Sequence, residues 1–210
     1  LNLCGPAAFL NVWTRRDPVA FAQFATTLFD TGSAWIGSME VAPSDGLVGN
    51  NYAAMGTSVP QADWMTMGAI RNNDDALFVW TGEATQEIPG ITFPEEIAAW
   101  LNATGIYASV ENQAGSTIEV ILSAKGFNAA ANLDMREGTD IIDLIQGNMI
   151  ADQIGISRAG AFLSHFSNHW VVRIGNVMEI VTTHKVAYPI WTFGADFPDV
   201  EAPTVQTFSD

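Results

Sequence analysis

Apolar residues at Phe9, Leu10 and Trp13 fall at i, i+1 and i+4, so they share one side of a helix that begins near Cys4. Pro6 suits the first turn of that helix, where the missing N–H would have no intrahelical partner. A second helix is predicted over 18–29: Asp17 is its cap, Pro18 its first residue and Gly32 lies past its end, with Phe21, Phe24 and Leu28 on one face. Residues 33–60 are rich in Gly, Ser, Asn and Pro and read as loop, with a short strand over 34–41. Helical patterning returns at 61–72 and at 92–101, the latter with Pro94 in its first turn and Gly105 beyond it, and 139–149 is a further apolar-periodic segment.

The later part of the chain reads as strands. Residues 117–122 and 160–166 are β-rich, and 188–194 offers another strand. Residues 169–174, then Gly175-Asn176, then 177–183 carry the signature of a hairpin closed by a two-residue turn. Helices first and strands later predict an α+β fold, with N-terminal helices packed on a C-terminal antiparallel sheet. No repeat or linker divides the 210 residues, so a single domain spanning 1–210 is expected.

Charge narrows the partners. Eight basic against 23 acidic residues give a net charge of −15, which argues against nucleic acid and anionic membrane surfaces as partners. No apolar window is long enough for a spanning helix. The chain opens on Leu1 instead of Met, which suggests a processed product or a domain cut from a longer polypeptide. His165 and His169 share a face whether helical or extended, yet nothing marks a third ligand, so no metal and no cofactor is expected.

The single cysteine is the first candidate for chemistry. A thiol acts as a nucleophile only when ionised, and the positive end of a helix dipole, where Cys4 is predicted to sit, favours the thiolate. His169, opening a strand at a sheet edge, is the candidate base. Such a pair can attack a carbonyl and then protonate the leaving amine.

Cys4-Gly5-Pro6-Ala7-Ala8 opening a helix, followed late in the chain by Asn168-His169-Trp170-Val171-Val172 opening a β-hairpin, resembles the papain-like superfamily of cysteine peptidases and amidases. The likeness is to its minimal bacterial form, found in cell-wall hydrolases, bacteriocin-processing peptidases and secreted effector toxins. It covers the two motifs and their order. The resemblance implies a papain-like fold with Cys4 as nucleophile and His169 as general base and acid, and the Cys4 N–H as part of an oxyanion hole. It also implies a peptide or peptidoglycan substrate, a cognate immunity protein as a possible partner, and secretion or delivery into a target cell. The family's glutamine ahead of the cysteine has no counterpart among the three residues preceding Cys4, so either Asn2 substitutes as the second oxyanion donor or that donor has been trimmed away. The family's Asn or Asp that orients the histidine is missing too. In the predicted hairpin register Thr182 lies opposite His169 and is the candidate orienter, the alternative being a Cys-His dyad; the resemblance makes Trp191, downstream of the hairpin, the candidate water shield. Two other functions fit the same motifs: a catalytically silent binding or inhibitory module, and an acyl transferase or deamidase using the same pair.

Overall fold

The computed structural model describes residues 3–49, 59–73, 80–82, 92–114, 133–155, 169–183 and 185–202. The protein is a mixed α+β chain with helices in its N-terminal part and antiparallel sheets in its C-terminal part. It forms two compact units, Leu1–Glu111 and Asn112–Asp210.

In the first unit, α1 (Cys4–Arg16) and α2 (Pro18–Thr31) are joined by one residue. Asp17 accepts from the Ala20 N–H through Oδ1 at 2.9 Å, and its own N–H donates to the Trp13 carbonyl at 2.8 Å. Gly32, at φ +80°, ends α2 in the left-handed conformation that glycine adopts without strain. The predicted strand over 34–41 folds back on itself as β1 (Ala34–Ile36) and β2 (Met39–Val41). A short α3 (Asp45–Val48) leads to α4 (Gln61–Asn73) and α5 (Pro94–Thr104). Glu96 fastens α4 to α5: it accepts from the Phe93 N–H at the start of its own helix, at 2.6 Å, and pairs with the buried Arg71 at 2.9 Å. The buried side of α1 carries Phe9 and Trp13, whose rings lie 5.6 Å apart; Phe9 meets Trp100 of α5, and Trp13 meets Phe21 and Phe24 of α2. Aromatic contacts of this kind add to a large burial of apolar area, so α1 is held on two sides.

The second unit carries the sheets. β3 (Ile142–Ile145), β4 (His169–Arg173), β7 (Ile190–Thr192) and β8 (Ala195–Phe197) make a four-stranded antiparallel sheet in the order β3-β4-β7-β8. A second sheet has the order β5-β6-β9, from Met178–Ile180, Lys185–Ala187 and Glu201–Ala202. Between β3 and β4 come a 3-10 turn (Gly147–Met149) and a short α6 (Ala151–Ile154). Ile145, Ile150, Val171, Tyr188, Ile190 and Val200 form this unit's core cluster.

Two expectations are corrected. Residues 139–149 form a strand and a 3-10 turn instead of a helix: Ile141, Ile142 and Ile145 suit a pleated, half-buried surface, and β4 provides the partner. The hairpin over 169–183 does not form. All five residues of β4 are buried, and such a strand needs hydrogen-bonded neighbours on both edges; β3 and β7 supply them. β5, with Met178 and Glu179 exposed, pairs with β6 in the other sheet. Asn176 does not serve a tight turn: its Oδ1 accepts from the Met135 N–H at 2.7 Å. The β-rich segments at 117–122 and 160–166 lie outside the described residues.

Candidate active site

Cys4 is the first residue of α1 and is half-buried. First-turn N–H groups of a helix have no intrahelical acceptors and form the positive end of its dipole, and no acidic residue in the first turn of α1 opposes that field. The glycine after Cys4 has a packing reason. Gly5 is buried, and a Cβ there would overlap the side chain of Thr92, just ahead of α5. Close approach to that segment therefore seats the cysteine-bearing end of the helix. Asn2 lies outside the described residues.

His169 opens β4 and is 7% exposed. Its side chain shares a face of the sheet with Val171 and Arg173. Val172 stands opposite Trp191, which puts Thr192 across from Val171 and on the His169 face. The buried Thr192 hydroxyl reaches His169 Nε2 at 2.7 Å. The ring tautomer sets which of the two groups donates in this bond; in the tautomer protonated at Nε2, Nδ1 keeps its lone pair. Burial disfavours the charged ring and lowers the His169 pKa from 6.5 to about 4, so the imidazole is neutral near pH 7.

Thr182, the expected orienter, lies in the exposed turn that follows β5 and belongs with the other sheet. That place opposite His169 requires a β4–β5 hairpin; β4 pairs instead with β7, which brings Thr192 to the His169 ring. Trp191 does not shield His169, because alternation along β7 puts it on the opposite face of the sheet from Thr192. Phe193 covers the ring instead: its side chain stacks on the imidazole with centroids 4.7 Å apart and planes at 12°. Phe193 and Gly194 close the β7–β8 hairpin with φ +50° and +81°, the positive pair that a type I′ turn requires. A phenylalanine held at positive φ costs of order 1–2 kcal/mol. Gly194, a residue that adopts positive φ without strain, is the signal in the sequence for this turn.

Below His169 on the same face, Arg173 makes a two-pronged pair with Asp143 of β3, Nε to Oδ2 at 2.7 Å and Nη2 to Oδ1 at 3.1 Å. Nη1 donates to the Leu133 carbonyl at 2.9 Å, and the Tyr188 hydroxyl donates to Asp143 at 2.5 Å. Burial, and then the Asp143 charge, push the Tyr188 hydroxyl well above its usual range and keep it a donor. This group ties β3 to β4 and so braces the strand that begins with His169.

Among the described residues no group of three or more His, Cys, Asp or Glu is placed to hold a metal ion, and no helix is long and apolar enough to cross a membrane. Comparison with protein-family models, with curated proteins and with solved structures finds no match.

Proposed function

We propose that this chain is a papain-like cysteine hydrolase that cleaves an amide bond in a peptide or in the stem peptide of peptidoglycan. Cys4 is the nucleophile and His169 the general base and acid. The observation that supports this most is the setting of His169: a buried, neutral imidazole held at Nε2 by the Thr192 hydroxyl. The cysteine at the first position of a helix held by Phe9 and Trp13 supplies the complementary group.

In this reading the Cys4 thiol passes its proton to His169 Nδ1, and the thiolate attacks the substrate carbonyl to form a tetrahedral oxyanion. The α1 N-terminus, with the Cys4 N–H, stabilises that charge. Collapse breaks the carbon–nitrogen bond, and the imidazolium gives its proton to the departing amine. The thioester that remains is attacked by water, from which His169 removes a proton, and the acid product leaves with the thiol restored. The reading requires sulfur and imidazole to come within hydrogen-bonding reach, which is about 3 Å between heavy atoms and looser when no substrate is bound.

The test is digestion of peptidoglycan fragments and a protein panel with products read by mass spectrometry. Cys4→Ala is expected to lower hydrolysis at least about 1,000-fold with the thermal midpoint preserved. Undiminished hydrolysis by Cys4→Ala overturns the proposal. A wild-type thiol that iodoacetamide alkylates no faster at neutral pH than a free thiol, whose pKa is about 8.5, also overturns it and supports the silent binding module.

A further inference from the structure

The two-residue turn between β7 and β8 is built against its own conformational preference. Type I′ turns favour Asn or Gly at the first central position, because both tolerate positive φ, yet this one places Phe193 there at φ +50°. Nor does the side chain repay the choice by entering a core: it is 61% exposed. What the ring does touch is His169, stacked at 4.7 Å and 12°. A strained backbone carrying an exposed aromatic onto one particular imidazole is the kind of local cost that persists at functional positions.

We infer that Phe193 is a positioning residue for His169, covering one face of the imidazole so that the ring keeps its plane and its Thr192 hydrogen bond. The inference rests on the hydrolase reading above for its catalytic meaning, and on the geometry of one hairpin for its physics. Thr192 and Phe193 are consecutive, so a single turn fixes the ring twice: the hydroxyl at Nε2 sets its rotation, and the phenyl face sets its tilt and keeps water off. No charge on the surrounding strands substitutes for this. Asp143 and Arg173 share the His169 face but are committed to each other, and Asp196 of β8 stands across from Trp191, on the other face. Exclusion of water is then what holds the ring neutral, in line with burial as the cause of its low pKa.

Phe193→Asn in the full chain separates the two roles a side chain can have here. Asn-Gly is the preferred pair for this turn, so the variant should fold with an unchanged or higher thermal midpoint. Side-chain nitrogen–proton NMR, with the His169 resonance identified by its disappearance in His169→Gln, then reads the imidazole directly. We expect the wild-type ring to show the Nε2–H tautomer and to titrate well below 6.5, the Asn variant to titrate higher by about one pH unit, and Phe193→Tyr to restore the wild-type curve. The acid limb of kcat/KM should move by the same amount. If folded Phe193→Asn and Phe193→Tyr titrate alike, the positioning role is overturned whatever the activity; hydrolysis surviving Cys4→Ala overturns the hydrolase reading whatever the titration.

Discussion

At the start of α1 the groups that fix Cys4 are mostly its sequence neighbours: Pro6 in the first turn, Phe9 and Trp13 on the buried side, and Asp17 at the far end. At the start of β4 the groups that fix His169 are distant along the chain: Thr192 is 23 residues later, and the pairing strand β3 ends at Ile145. A helix end is written in a few consecutive residues because its hydrogen bonds close within one turn, whereas a strand acquires its environment only when its neighbours are chosen. The setting of Cys4 is therefore robust to distant changes, and that of His169 depends on how the sheet is assembled.

The largest effect should come from breaking that assembly at its buried ion pair. Arg173→Leu leaves the Asp143 carboxylate without its cation in a largely buried site, which is expected to cost about 3–5 kcal/mol in urea unfolding. Adding Asp143→Asn should recover much of the loss, since the uncompensated charge is then gone. A single variant costing under about 1 kcal/mol would mean that the pair is not what binds β3 to β4.

Acid sensitivity sharpens the comparison on the same strand. The His169 ring ionises near 4 in the folded chain and near 6.5 when unfolded, so between these values the unfolded state binds the extra proton and stability falls as the pH drops. Across the whole window the loss amounts to about 3 kcal/mol. His169→Gln should remove it, seen as a smaller fall in the urea midpoint between pH 7 and pH 4.5 than in the wild type. Parallel curves for the two proteins would show that the ring titrates normally.

The smallest effect belongs to the helix start. In Gly5→Ala the new Cβ meets Thr92, an overpacking cost of about 1–3 kcal/mol, while the better helix propensity of alanine offsets up to about 1 kcal/mol. A net stability loss of about 1–2 kcal/mol, seen as a lower thermal midpoint, with slower alkylation of Cys4, is expected. A stabilised Gly5→Ala would show that the contact yields freely.

Both helices of the α1–α2 pair were legible in the sequence, down to Asp17 as cap and Gly32 at the C-terminus, and so were α4 and α5. Prolines, caps and terminal glycines act locally, so no tertiary information was needed. His169 as the first residue of a strand was legible as well. Its partners were not. Gly175-Asn176 is a strong local hairpin signal, but it lost to the requirement that a strand buried along its length be flanked on both sides, and that requirement is invisible until burial is known. The same pairing puts the Thr192 hydroxyl, and not that of Thr182, beside His169, while Trp191, expected as a shield from the family resemblance alone, gives way to Phe193. The isoleucines of 139–149 show the other weakness of patterning, since a short apolar run fits a strand and a helix equally well.

The elbow at Asp17 has a consequence for how this chain can vary. That residue ends one helix and begins the next, using its amide for the first and its carboxylate and carbonyl for the second. With no slack between the two cylinders, inserting or deleting one residue anywhere from Cys4 to Arg16 would rotate everything upstream by about 100°. The sulfur would then swing to another compass point while the composition scarcely changed. The length of this helix behaves as a phase angle and is fixed to the residue.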